Sequence, residues 1–230
     1  MADLNLRPSK APNLLIAPVD YRQLYQDQLN NALRLYFNQV DNVTTTLLSP
    51  NGGHYLSFPH ICASDSTDQY AAGNDTPTVV AWNTLDSGSG FTLAPPGTAT
   101  AEVSGVYKIT YSAQLANTAN AFHDAVFWLK VDAGSGFADV PNSATIFTLP
   151  ARKSAGVPSY VAAYSEVTFS VNGGDKIELW WATDLAYNPV GPVDGVYILH
   201  DTAQTTPYAR PAVPSVIGSI TFVSRLPTTP

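Results

Sequence analysis

From Asp20 to Leu48 apolar residues recur every three or four positions, and from His54 onward the recurrence shortens to two. Tyr25, Leu29, Ala32, Tyr36, Val40, Val43 and Leu47 form one stripe at helical spacing, broadened by Leu24, Leu33, Leu35 and Phe37. Gln23, Gln26, Asp27, Asn30, Asn31, Arg34, Asn38 and Asp41 fall on the opposite face. Asp20 can cap this helix, because its carboxylate accepts hydrogen bonds from otherwise unpaired amide N–H groups. The pattern predicts a rod of roughly 40 Å. It departs from strict heptads, so register alone does not give an oligomeric state. Thr44–Thr46 weaken the helical end, and Ser49-Pro50-Asn51-Gly52-Gly53 terminates it.

The period-two region predicts about ten short strands. They are Tyr55–Ile61, Thr78–Trp82, Thr98–Val103, Gly105–Leu115, Ala125–Val131, Ala144–Leu149, Tyr160–Val171, Lys176–Thr183, Gly195–His200 and Ile217–Leu226. Turn signals separate them: Asp86-Ser87-Gly88-Ser89-Gly90, Pro95-Pro96-Gly97, Asp132-Ala133-Gly134-Ser135-Gly136 and Asn172-Gly173-Gly174-Asp175. Short strands with turns every 8–12 residues indicate a mainly β fold, a sandwich of jelly-roll type. Ahead of the helix, Pro8, Pro12 and Pro18 favour extended backbone around the apolar run Asn13–Ala17. That run is a terminal strand on its own domain, an anchor inserted into a partner, or a disordered segment. The expected organisation is an arm (1–19), an oligomerising helix with linker (20–53) and a jelly-roll head (54–230).

Composition narrows the function more than it names it. Only 13% of the 230 residues are charged, about half the usual share. Such a surface suits a protein largely covered by partners. A net charge of −7, with Arg152-Lys153 as the longest basic run, argues against nucleic-acid binding. No stretch approaches the roughly 18 apolar residues that cross a membrane, so no membrane partner is expected. Met1-Ala2-Asp3-Leu4 lacks the basic start and apolar run of a secretory leader. The single cysteine, Cys62, forms no intrachain disulfide and is compatible with synthesis in a reducing cytoplasm.

Residues able to carry chemistry are scattered. His54, His60, His123 and His200 lack metal-ligand spacing. His123-Asp124 has the form of an orienting pair for a general base, but follows a loop-like Asn117–Asn120. Cys62 and His60 share a strand face at about 6–7 Å, too far for a thiol–imidazole bond, and Cys62 reads as a small buried hydrophobe. Asp65-Ser66-Thr67-Asp68 and the pair Asp184 and Asp194 lack the dense alternation of a calcium loop. On an alternating strand one of Trp180 and Trp181 must face the core, which with Trp128 favours packing over sugar stacking. The expectation is therefore no enzyme, no catalytic residues, no metal and no cofactor. Asp184, Tyr187, Asn188 and Asp194 form a candidate ligand loop.

Three segments resemble the jelly-roll head of the tumour-necrosis-factor and complement-head superfamily. They are Gly105-Val106-Tyr107-Lys108-Ile109, the hairpin Val171–Leu179 containing Gly174-Asp175, and Gly218-Ser219-Ile220-Thr221-Phe222. The arm, the segment Gln26–Gln39 and the β head together resemble virion structural proteins of tailed phages. That resemblance implies a homotrimer whose heads pack side by side above bundled helices, acting as a capsid decoration or cement protein or as a head fibre. It implies a seam of Tyr25, Leu29, Ala32, Tyr36 and Val40, with Leu14, Leu15 and Ile16 attaching to the virion. Expected partners are other copies of the chain and virion proteins such as the major capsid protein or a tail or neck protein. The location would be the virion, after synthesis in the host cytoplasm. The alternative is a tail-fibre tip that binds a receptor or host-surface glycan.

Overall fold

The computed structural model describes residues 12–13, 20, 22–48, 58–191 and 194–226. The chain divides into two units, Met1–Ser57 and Phe58–Pro230. The attachment residues Leu14, Leu15 and Ile16 lie outside the described residues.

In the first unit, helix α1 runs over Gln23–Leu48. Arg22, rather than Asp20, precedes its first turn, and the Arg22 carbonyl accepts from Gln26 N–H at 3.2 Å. Asp20 lies too far upstream to cap, and the first turn holds no acidic residue. The three threonines do not stop the helix, which continues through Leu48. Side-chain pairs one turn apart support the polar face: Gln26 Nε2 donates to Asn30 Oδ1 and Arg34 Nη2 to Asn31 Oδ1, both at 3.0 Å. Tyr25, Leu29, Ala32, Tyr36, Val40 and Val43 are half-buried. No helical residue whose side chain is described is fully buried, and Leu24 and Phe37 are 69% and 58% exposed.

In the second unit, thirteen strands are present among the described residues. They are β1 His60–Asp65, β2 Thr78–Val79, β3 Thr84–Ser89, β4 Phe91–Ala94, β5 Thr98–Ala101, β6 Gly105–Asn117 and β7 His123–Asp132; then β8 Phe137–Asp139, β9 Thr145–Leu149, β10 Ser159–Val171, β11 Lys176–Thr183, β12 Val196–Ile198 and β13 Val216–Ser224. One sheet has the order β10-β6-β13-β1-β3, with β12 also paired to β6. The other has the order β4-β5-β11-β7-β8, with β2 on β11 and β9 on β7. Every strand pairing is antiparallel. First and last strands adjacent at the centre of one sheet, with consecutive strands exchanged between two sheets, make this a jelly roll.

Strict alternation in β6 sends Tyr107, Ile109, Tyr111, Ala113 and Leu115 into the core. Phe127 and Trp181 meet them from the other sheet, with Phe127 stacked on Trp181 at 6.0 Å and tilted on Tyr111 at 5.6 Å. Burial pushes the Tyr111 hydroxyl up to about 12. Tyr107 is held edge-on between Phe91 and Phe222, and its hydroxyl donates to the Val103 carbonyl at 2.8 Å. Close aromatic approach also explains two glycines in the superfamily-like segments. A Cβ on Gly218 would stand 2.5 Å from the Trp82 ring, and one on Gly105 equally close to Phe222.

The first expected strand has its Tyr55–Ser57 portion outside the described residues; β1 runs from His60 past Ile61 to Asp65, and β3 runs through residues read as a turn. Strand β3 is an exposed edge that pairs with β1 through a register shift at Cys62/Ala63. Backbone hydrogen bonds alone recruit such an edge, so no hydrophobic alternation marks it.

Candidate functional site

Two surfaces of the head carry features that folding alone does not require. The first is the outer face of the β10-β6-β13-β1-β3 sheet. Register aligns Tyr164, Ser112, Ile217 and Ser64 in one cross-strand row, and Glu166, Thr110, Ser219 and Cys62 in the next. Tyr164 is 59% exposed and Ile217 50%. They flank a shallow groove of about 350 Å³ floored by Cys62, Thr110, Ser112, Gly218 and Ser219. Within these rows Glu166 is the charged residue, and it pairs with Lys108 at 3.3 Å. A sheet face turned to water ordinarily carries interspersed charges on both signs. Besides the Glu166–Lys108 pair and Asp86, which accepts from Ser64 Oγ at 3.2 Å, this one offers hydroxyls, a thiol and apolar side chains.

The second surface lies where the sheet ends meet the loops. Gln69 and Ile198 exchange backbone hydrogen bonds at 2.9 and 3.0 Å, which sets Tyr70 beside Tyr197. Tyr187 joins them because its N–H donates to the Val196 carbonyl at 3.1 Å. The three rings touch mutually, with centroids 4.9 to 5.8 Å apart and planes inclined by 31° to 34°. Tyr197 pairs with Ala116 of β6, which pairs in turn with Tyr160 of β10, so a small residue separates two rings. Partial burial pushes the Tyr197 hydroxyl up to about 12, aided by the Asp68 carboxylate and by Tyr160, Tyr187 and Tyr70. Tyr70 is raised by burial and by Asp68, to whose Oδ2 its hydroxyl donates at 3.3 Å.

Tyr187 is the shared wall of two clefts. One, of about 330 Å³, is lined by Tyr197, Thr118, Arg152, Asp194 and the Gly156–Pro158 turn. The other, of about 410 Å³, is lined by Tyr70–Asn74 and Ala186–Pro189. Arg152 Nη1 donates to Asp194 Oδ2 at 2.8 Å and to the Thr118 carbonyl at 3.2 Å, fixing the pair at the cleft edge. The predicted ligand loop is thus divided. Tyr187, Asn188 and Asp194 border these clefts, whereas Asp184 lines neither. It is tied to the start of β7, where Oδ2 meets His123 Nδ1 at 3.1 Å and Oδ1 accepts from Asp124 N–H at 3.1 Å. Tyr70, Tyr197 and Arg152 had no role in the sequence-based site. They come from segments far apart in the chain, and no local spacing links them.

The remaining candidates settle into structural positions. His123 faces Asp184 rather than Asp124, whose Oδ1 accepts from Thr148 Oγ1 at 2.6 Å. Neighbouring residues on a strand point to opposite faces, which separates the supposed pair. Cys62 is half-buried on the outer face, not a core hydrophobe, while His60 Nδ1 lies 2.9 Å from the Phe58 carbonyl oxygen. Asp65 is 1% exposed at the end of β1. Its carboxylate accepts from Thr67 N–H, Thr67 Oγ1, Asn83 Nδ2 and Ser215 Oγ, which satisfies it without a cation. Trp181 is in the core, whereas Trp180 and Trp128 pair on the outer face of the other sheet. Lys130 Nζ covers the Trp180 ring at 4.4 Å, and Trp128 Nε1 donates to Asp139. Among the described residues, no three His, Cys, Asp or Glu side chains converge on a common point.

No protein-family model matches the chain, and no curated protein matches it. Solved structures do resemble it. Eiger TNF from S. frugiperda shares 12% identity over 76% of this chain and 99% of its own, with a TM-score of 0.46. The globular domain of zebrafish complement 1qA protein shares 14% over 74% and 100%, with a TM-score of 0.40. Murine APRIL shares 14% over 72% and 100%, with a TM-score of 0.43. These likenesses concern fold.

Proposed function

We propose that the chain is a non-enzymatic structural subunit that self-associates as a homotrimer and serves in a tailed-phage virion as a decoration, cement or head-fibre protein. The observation that carries the self-association is the pair of exposed apolar side chains, Tyr164 and Ile217, at the centre of a sparsely charged outer face, which covering by further copies would stabilise. The α1 stripe of Tyr25, Leu29, Ala32, Tyr36 and Val40 supports it, since no helical side chain that is described reaches full burial within one chain. An area-based role asks for extended contacts rather than a reaction centre, in keeping with the 13% charged composition. The virion assignment rests on the resemblance of the arm, helix and head layout to phage structural proteins. Leu14, Leu15 and Ile16 are the proposed attachment residues, and the major capsid protein or a tail or neck protein is the proposed receiver.

Quantitative mass spectrometry of purified particles, with antibody labelling under the electron microscope, tests the placement. Regular copies on the head support decoration, and label confined to the tail end supports the second reading. That reading is a receptor- or glycan-binding tip, favoured by the tyrosine clefts. Absence from purified particles would remove the virion role.

A further inference from the structure

We infer that the two clefts flanking Tyr187 form a binding site for a neutral oligosaccharide, with one sugar ring seated on either side of the tyrosine. The inference stands on the head alone and does not depend on where the protein is mounted.

The arrangement of the rings separates this ligand from others that aromatic clusters attract. A cage for a quaternary ammonium needs rings standing apart around an open centre. Here the centroids of Tyr70, Tyr187 and Tyr197 are 4.9 to 5.8 Å apart, so the rings fill their own centre. What they leave is a continuous tilted surface with clefts on both sides of Tyr187. The C–H face of a pyranose packs on such a surface, while its edge hydroxyls need planar polar groups. Those groups stand at the rim: the Arg152–Asp194 pair borders one cleft and Asn188 the other. Asn188 Oδ1 accepts from Val190 N–H at 3.0 Å, which fixes the amide. Among the described residues the Arg152 guanidinium donates through Nη1 alone, which leaves its other N–H groups for a ligand.

Size and charge agree. Volumes of about 330 and 410 Å³ lie at the small end of the roughly 300–1,000 Å³ spanned by small-molecule sites. Each accommodates a single ring better than an extended apolar ligand. At the clefts Asp194 pairs with Arg152, Asp68 accepts from the Tyr70 hydroxyl and Lys153 lies over the Tyr160 ring, within a chain of net charge −7. A sulfated or phosphorylated ligand finds no positive field there. Backbone bonds to Ile198 and Val196 fix the segments that carry the rings, and the rings pack on one another, which lowers the ordering cost of binding.

The test is an array of neutral glucose-, galactose-, mannose- and N-acetylglucosamine-containing oligosaccharides, with heparin fragments as the anionic control. Full-length protein is compared with Tyr187→Ala and Arg152→Gln, and every sample is also weighed in its native state. The expected result is retention of at least one neutral class and none of heparin. Affinity should fall about tenfold or more in each variant while native mass and near-ultraviolet circular dichroism stay unchanged. Failure to bind any neutral sugar, or equal binding by Tyr187→Ala, overturns the proposal. A lowered native mass for folded Tyr187→Ala also overturns it, by assigning the tyrosines to contacts between copies.

Discussion

Replacing Tyr164 and Ile217 together by glutamate perturbs the sheet face without touching the core, because both side chains point away from it. An aromatic side chain buries roughly 150–250 Å². Covering the 59% of Tyr164 that is exposed therefore removes about 120 Å² from water, worth about 3 kcal/mol at roughly 25 cal/mol per Å². Ile217, 50% exposed, contributes about 1 kcal/mol, half of what full burial of such a side chain gives. Ordering two side chains at an interface costs roughly 0.5–1.5 kcal/mol each. About 1–3 kcal/mol per protomer remains, or roughly 5- to 150-fold in an association constant. The substituted carboxylates enlarge the effect, since a charge buried between copies without a partner is strongly destabilising. Native mass measured across a dilution series, with thermal unfolding as the folding control, reads the outcome. The double variant should dissociate at concentrations where the parent protein remains assembled. A folded double variant with the parent's mass at every dilution would refute the assignment of this face.

Three further outcomes follow from the same structure. Leu29→Asp with Tyr36→Asp should lower the native mass while leaving head unfolding unchanged, and an unaltered mass would exclude α1 as a seam. Gly218→Val should cost roughly 1–3 kcal/mol in urea denaturation, because its Cβ would stand 2.5 Å from the ring of buried Trp82; an unchanged midpoint would contradict that packing. The hydroxyls of Tyr111 and Tyr197 are raised from 10.0 to about 12, so the unfolded chain loses these protons first as pH rises. Their stabilising contribution is complete below pH 10 and is lost between about pH 10 and 12, a loss that Tyr197→Phe should reduce and that a pH-independent urea midpoint would disprove.

Much of the fold was legible because it depends on local periodicity. The alternation of Gly105–Leu115 and Tyr160–Val171 located β6 and β10, the two long strands that pair residue for residue. From Tyr25 to Val43 the helical stripe likewise coincides with half-buried positions of α1, whereas Leu47 is exposed. Strand β3 escaped because an edge needs only backbone bonds, and Asp20 has the chemistry of a cap but stands two residues ahead of the cap position, which Arg22 holds. The candidate site was less legible. Tyr187, Asn188 and Asp194 stand together in a loop rich in polar and aromatic residues, which the sequence displays directly. Tyr70 and Tyr197 join Tyr187 only through backbone pairings between distant segments, and Asp184 leaves the group because β7 claims it. The apolar and hydroxyl row on the outer sheet face also emerges only from register, which aligns Tyr164, Ser112 and Ile217.

Native mass of the unmodified full chain, followed from low micromolar to low nanomolar concentration, tests self-association most directly. The account predicts a species of three times the 24.6 kDa chain mass that persists on dilution. A folded species of one chain mass at every concentration would contradict it.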